Sequence, residues 1–586
     1  MKRTTYNHKT RSWTFMGVMG LIGLSMASCS DFLEIEPQTE IIMEQFWNEK
    51  ADVDGIVAGC YSAMQYDGVV RRMMMWGEFR SDNIGIGPGI DKDNDLNKVL
   101  NENITAKNSY TTWDGFYNVI NRCNTVIKYA PGVAATDPGY TQSELQAHIA
   151  EVSALRDLCY FYLIRTFRDV PYTTVAYTDD DQVMDLPATK FDDVLDSLIT
   201  DLESVKDMAV KRYPTTKPLY QMGRITQDAV HAMLCEMYLW KKDYQNCIKY
   251  ADLVIESKKT IAKENRRGNY GNSTTEERFN GYPLLSEHTS STYFGNAYSA
   301  LFGSDNNYSD ATQEIIFSLI YDDNPVNMLA NSAVNWFYGH SAVQKGRVVP
   351  SDYLLEDIEK TSSRTIFADR NNMLDARMYE ACGDGGRVTK YTSINVDINA
   401  SSSTNLTASY NYYGEDKNGS NWIIYRLTDI MLLKAEALTQ MLQEGSDQET
   451  IAYNTPIISE AFSLVNAVNK RALCQTTLRD TLLASDYNTK AQMETLVMQE
   501  RQRELLFEGK RWFDLVRQAQ RNGNTTQIAS AAVAKATTNG SLIRNKLAKM
   551  DAIYWPYNYE ELKVNKNLIQ NPAFSSGDDG SYESTH

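Results

Sequence analysis

Residues 225–256, ITQDAVHAMLCEMYLWKKDYQNCIKYADLVIE, read as a helix hairpin. Ala229, Ala232, Tyr238 and Leu239 recur at helical spacing over residues 225–241, Lys242-Asp243 makes the turn, and Cys247, Ala251 and Val254 mark the apolar face of residues 244–256. The unit is close to one tetratricopeptide-like repeat, whose period is about 34 residues and whose alternating small and large side chains let helix pairs stack. A similar pattern pairs residues 423–442 with 458–472, and further helices are predicted over 51–64, 113–129, 144–167 and 191–208. In the third of these, Leu155, Leu158, Tyr162 and Leu163 form one stripe, and Asp169 and Pro171 stop the helix. The chain therefore reads as mainly α, a tetratricopeptide-like helix-pair scaffold in which neighbouring hairpins share a core.

Working outward, the scaffold covers about 44–257 and 421–521, and a terminal segment covers 522–586. Between them, residues 258–420 are polar and loop-rich, with Ser, Asn, Gly and Thr clusters near 268–275, 304–310 and 401–405. Loops carried by a rigid scaffold are where binding groups concentrate, so this insertion is the expected ligand-binding portion.

The first 29 residues have the pattern of an export signal: Lys2, Arg3, Lys9 and Arg11, then an apolar run from Trp13 to Met26, then small residues before Cys29. That run is too short for a membrane-spanning helix, which needs about 20 residues. Residues 24–29, Leu-Ser-Met-Ala-Ser-Cys, resemble a bacterial lipobox, with Met26 where leucine is usual, so 1–28 is expected to be a lipoprotein signal peptide and Cys29 the lipidated residue. Net charge is −17, and removing residues 1–28, with two Lys, two Arg and no acid, deepens it to −21. A nucleic-acid partner is excluded, because polyphosphate binding requires a basic surface. Cys60, Cys123, Cys159, Cys235, Cys247, Cys382 and Cys474 form no CxxC pair and mostly sit in apolar helical patterns, as buried thiols do.

Several segments, taken in order, resemble the SusD/RagB family of lipid-anchored glycan-binding proteins of the Bacteroidetes outer membrane. Asp31-Phe32-Leu33, Pro37 and Phe46-Trp47 follow the lipobox, and Glu78-Phe79-Arg80-Ser81-Asp82-Asn83 is similar to an early family signature. Phe167-Arg168-Asp169-Val170-Pro171 resembles its Gly-Asp-Val-Pro turn, with Arg168 in place of the glycine. Tyr425 to Ala437, the string ERQRELLFEGKRWFDLVR at 500–517, and Trp555-Pro556 through Asn567-Leu568-Ile569-Gln570-Asn571-Pro572 resemble its three C-terminal signatures. Within that string Glu500, Glu504 and Glu508 stand at i, i+4 spacing among arginines, which reads as structural ion pairing and not as a catalytic cluster. The resemblance implies a surface-exposed lipoprotein of the outer membrane, partnered by a SusC-like TonB-dependent transporter.

Candidate binding residues follow from the chemistry of sugars, which present apolar C–H faces to aromatic rings and hydroxyls to polar side chains. Tyrosine, at 36, outnumbers phenylalanine, at 18, and nine tryptophans add to the supply. Trp336 and Tyr338, in Asn335-Trp336-Phe337-Tyr338-Gly339-His340, are the leading candidates, followed by Tyr293, Tyr298 and Tyr308, with Tyr410, Tyr412 and Tyr413 behind them. The resemblance adds the stretch 66–88, where Asp82 and Asn83 are expected hydroxyl partners and Trp76, among Met73, Met74 and Met75, reads as core.

No catalytic or cofactor motif is found: HExxH, GxSxG and a P-loop are absent, and Gly85-Ile86-Gly87-Pro88-Gly89 lacks the Lys and Ser/Thr of a phosphate cradle. Residues 91–102 have acids at calcium-loop positions but Leu96 where glycine makes the turn, so no metal is expected. The expected function is capture of an oligosaccharide or polysaccharide and its delivery to the transporter, without catalysis and without a cofactor. Two alternatives stand beside it: an exported glycan-degrading enzyme, which needs only two suitably spaced carboxylates among 75 acids, and a helical-repeat scaffold for protein partners.

Overall fold

The hairpin at 225–256 forms as its pattern dictates. A computed structural model describes residues 46–179, 181–268, 279–285, 293–294, 296–303, 309–322, 329–340, 346–355, 366–367, 375–402, 405–473, 482–536 and 538–575. Cys29, Tyr308 and Cys474 lie outside them. Residues 47–586 make one unit.

Among its helices, in chain order, are α1 (Lys50–Met64), α2 (Asp67–Met74), α3 (Asp114–Thr136), α4 (Gln142–Phe167), α5 (Phe191–Val205), α6 (Gln227–Trp240), α7 (Tyr244–Gly268), α8 (Ser332–Tyr338), α9 (Leu427–Met441), α10 (Gln448–Ala472), α11 (Lys490–Glu504) and α12 (Arg511–Asn522). Side-chain caps set their starts. Thr141 and Glu144 close a capping box on α4, Thr226 caps α6, and Asp447 caps α10. Between α6 and α7, Lys242 takes φ +64° to turn the chain, and the Asp243 carboxylate accepts the Asn246 N–H. The pairs α3/α4, α6/α7 and α9/α10 pack as antiparallel hairpins, and α7 and α11 both lie against α9. Leu432, Val465 and Val497 meet in the core among α9, α10 and α11.

Two expectations need correction. Residues 422–426 are strand, not helix: Trp422–Arg426 pairs antiparallel with Ile315–Leu319, because a β-branched and aromatic run suits a buried ladder, and α9 starts only at Leu427. The string at 500–517 is not one helix either. It breaks between α11 and α12, where Phe507 and Gly509 take φ +64° and +71°. The break lets two backbones touch: a Cβ on Gly77 would lie 1.9 Å from the carbonyl oxygen of Gly509.

The described part of the loop-rich section is tied down by short ladders. Strand β1 (Ile84–Ile86) pairs with β2 (Val348–Pro350), and Tyr293–Phe294, Ser393–Ser402 and Asn405–Tyr412 form a three-stranded sheet. At the end of α4, Arg168 has φ +71° and ψ −76° and the Asp169 N–H donates to the Phe167 carbonyl at 3.1 Å, a γ-turn. Arg168 thus holds, as a non-glycine, the conformation that the resemblance assigns to glycine, and its guanidinium pairs with Asp551 at 2.5 Å.

Candidate functional site

Two arginine-rich regions stand out, and only one of them is open. The closed one runs along the charged string. Glu504 accepts from Arg426 at 2.6 Å, Arg471 at 2.6 Å, Arg377 at 3.1 Å and the Tyr298 hydroxyl at 2.9 Å. Burial opposes its charge, yet Arg471, Arg426 and Arg377 hold its carboxyl well below the usual range. Glu508 pairs with Lys390 and Arg426, Arg501 with Asp429 and Asp514, and Arg517 with Glu436. These are ion pairs between separate elements. Within the string, Arg503–Glu500 and Arg517–Asp514, both at i, i+3, follow the local spacing.

The early signature is the other half of this seam. Glu78 accepts from Asn83 Nδ2 at 2.7 Å and from the backbone N–H groups of Phe507, Lys510 and Arg511, so it clamps the break between α11 and α12. Burial pushes its pKa up to about 7 against those hydrogen bonds. Arg80 pairs with Glu102 at 2.8 Å and donates to the carbonyls of Ala552 and Ile553.

These contacts decide where the expected sugar-binding residues lie. Asp82 accepts two N–H groups of Arg511 at 2.9 Å, and Asn83, closed to solvent, also accepts from Gln502. Tyr298 is buried with its hydroxyl on Glu504, and Tyr338 is buried with its hydroxyl on the Phe507 carbonyl at 3.1 Å. Tyr293 is a strand residue opposite Asn399. Tyr410 and Tyr412 follow one another along Asn405–Tyr412 with rings 6.1 Å apart, and Tyr413 is buried. Trp76 is core, stacked on Phe116 at 4.9 Å with its Nε1 donating to the Tyr110 carbonyl. Asp93 caps the helix Asn94–Leu100, Asp95 pairs with Lys98 and Glu102 with Arg80, so these three acids of 91–102 serve a cap and ion pairs. Among the described residues no group of three or more His, Cys, Asp or Glu side chains could hold a metal ion. Tyr298, Tyr338 and Asn83 therefore offer no ring or amide to a ligand from solvent here, because burial has committed them to the seam.

Trp336 differs. Asn331 caps α8 and sets the indole half-buried at the surface, with the guanidinium carbons of Arg347 and Arg71 3.5 and 4.0 Å from its ring centroid. Arg347 also donates to the Trp336 carbonyl at 2.7 Å, and Arg71 pairs with Asp67, which accepts from Ser332. The Nε donors of both arginines are buried and have no hydrogen-bond partner among the described residues. Tyr66, 65% exposed, immediately precedes Asp67, the partner of Arg71 and Ser332, and Ile86 is exposed on β1. Arg71 and Tyr66 fall in the stretch 66–88. Arg347 has no signal in the sequence; it meets the indole because the chain returns to α8, with Gly346 against the backbone of Phe337 and Tyr338.

Residues 313–574 match the SusD family model, and residues 31–239 match a SusD-like model described as starch-binding and associating with the outer membrane. The chain belongs to the SusD/RagB family. It is 26% identical over 582 residues to SusD-like protein P38 of Formosa agariphila, spanning 97% of this chain and 99% of that one. A SusD-like protein of Bacteroides ovatus is 24% identical over 237 residues, 39% of this chain and 40% of its own. The fold is shared with a SusD superfamily protein and a SusD homolog of Bacteroides thetaiotaomicron, with TM-scores of 0.59 and 0.62, identities of 20% and 16%, and coverage of 90% and 91% of this chain and 99% of each of theirs. No described helix of this SusD/RagB member is long and apolar enough to cross a membrane. Its early and C-terminal signatures are the two sides of the buried seam.

Proposed function

We propose that this protein is a non-enzymatic glycan-binding lipoprotein of the outer-membrane surface, anchored through Cys29, that captures an oligosaccharide on the Trp336 face and passes it to a SusC-like TonB-dependent transporter. The observation that carries the reading is the Trp336 face itself, where an indole and two arginine Nε donors without acceptors among the described residues meet at the surface of a SusD/RagB fold. A pyranose that stacks on this indole takes the place of one guanidinium. The displaced arginine then has an acceptor in the sugar hydroxyls. Weak binding suffices, because a tethered carrier keeps its cargo at high local concentration beside the pore.

Affinity electrophoresis over a polysaccharide panel tests the binding step. Retardation by at least one polysaccharide, lost in Trp336→Ala and not accompanied by release of reducing ends, is the expected result. Turnover that disappears with a single carboxylate replacement supports an enzyme instead. Fractionation of Cys29→Ala away from the outer membrane tests the anchor, and co-purification of the transporter with the lipidated form tests the partner.

A further inference from the structure

A second opening lies beyond the seam, between α11, α12 and the following helix Thr526–Ala534, with a cavity of about 420 Å³. Uncharged hydrogen-bonding groups line it, Gln499, Gln502, Gln518 and Gln527, with Thr495 and Ser530, set among apolar side chains such as Met498 and Leu515. Gln499 and Gln527 have amides without a hydrogen-bond partner among the described residues, while Gln502 and Gln518 each commit one donor, to Asn83 and Glu494. The charged groups in the wall are already paired, Arg511 with Asp82 and Glu494 with Arg521. Half-buried Tyr353 adds one aromatic ring.

We infer that this groove is a second subsite for a neutral glycan, contacting a longer chain whose other part lies at Trp336. Primary amides donate and accept at once, which matches hydroxyls, and a wall whose charges are mutually satisfied selects against a charged ligand. Continuity supports the assignment. The β1–β2 ladder has Arg347 and Gly87 at one end, beside Trp336, and Asn83 and Ser351 at the other, where Tyr353 and Asp82 enter the groove. At about 3.3 Å per residue, Arg347 and Ser351 are roughly 13 Å apart along the strand, a span of a few sugars. The inference rests on the glycan-binding reading above.

Calorimetry on the full mature chain tests it, using a trimer and a decamer cut from whichever polysaccharide retards the wild type. The double variant Gln499→Ala/Gln527→Ala, and separately Ala534→Trp, which fills the groove from an exposed lining position, are expected to weaken decamer binding by about five- to tenfold and leave the trimer unchanged. Trp336→Ala loses both ligands. Decamer affinity within twofold of wild type in both folded groove variants overturns the second subsite, as does equal weakening of trimer and decamer. A wild type retarded by no polysaccharide overturns the glycan reading itself and this inference with it.

Discussion

Around Glu504 three guanidinium groups converge on one carboxylate in a region closed to solvent, whereas around Trp336 two guanidinium groups lie on an indole at a half-open face; Nε donors without acceptors among the described residues occur in both, on Arg471 in the first and on Arg71 and Arg347 in the second. The same residue types thus build opposite things. In the seam Glu504 is answered from three separate elements, so the network registers α9, α10, α11 and the loop-rich section against one another. At Trp336 the donors left over by the described residues lie beside a half-exposed ring. Density of charge in a sequence points to the framework here, and spare donors beside an exposed ring point to the candidate site.

That contrast is most sharply broken by Glu504→Ala. It leaves Arg377, Arg426 and Arg471 facing one another in the interior, and loss of one partner from a buried ion pair costs about 3–5 kcal/mol. Urea unfolding should show that loss, and an unshifted midpoint would mean that the seam does not hold the fold.

The next effect is a pH dependence in the same region. The carboxyl of Glu78 has a folded pKa of about 7, above the unfolded value of 4.5, so the folded state binds the proton more tightly. Its stabilising contribution is complete below about 4.5 and is lost as pH rises through about 7, by up to about 3 kcal/mol. Glu78→Gln should flatten this part of the stability profile, and a wild-type-like slope between pH 4.5 and 7 in the variant would assign the dependence to another group.

At the open face the expected pattern inverts. Trp336→Ala should weaken glycan binding at least tenfold, about 1.4 kcal/mol, with a stability cost below about 2 kcal/mol. A variant that unfolds as readily as Glu504→Ala would place Trp336 with the framework. The smallest effect is at the γ-turn. Arg168→Gly should relieve the positive φ at the cost of the Asp551 pair, for a net gain of about 0.5 kcal/mol, whereas Arg168→Ala, which keeps the strain and loses the pair, should destabilise by a similar amount in thermal melts.

Much of the fold is legible in periodicity. The hairpin at 225–256 and the helices near 51–64, 144–167 and 191–205 form where apolar spacing and polar starts require them, because a helix must bury one stripe and satisfy its first N–H groups wherever it packs. Residues 422–426 show where that reasoning stops. Wholly buried on a ladder, Ile423 and Ile424 have no polar alternation to reveal a strand, so the run passes for the first turn of α9.

The candidate site divides in the same manner. Local composition singles out Trp336, since an aromatic cluster in a polar section is visible along the chain. Composition cannot tell that Tyr338 and Tyr298 turn inward to Phe507 and Glu504, nor that Asp82 and Asn83 are held by Arg511, Gln502 and Glu78. Helix pairing and the acid–base composition of the seam follow from short-range periodicity and residue type, which any window of the chain contains. Burial and partnership are settled between residues hundreds of positions apart, as where Glu78 meets Lys510, and such a meeting exists only once the chain has folded and water has been excluded from between them.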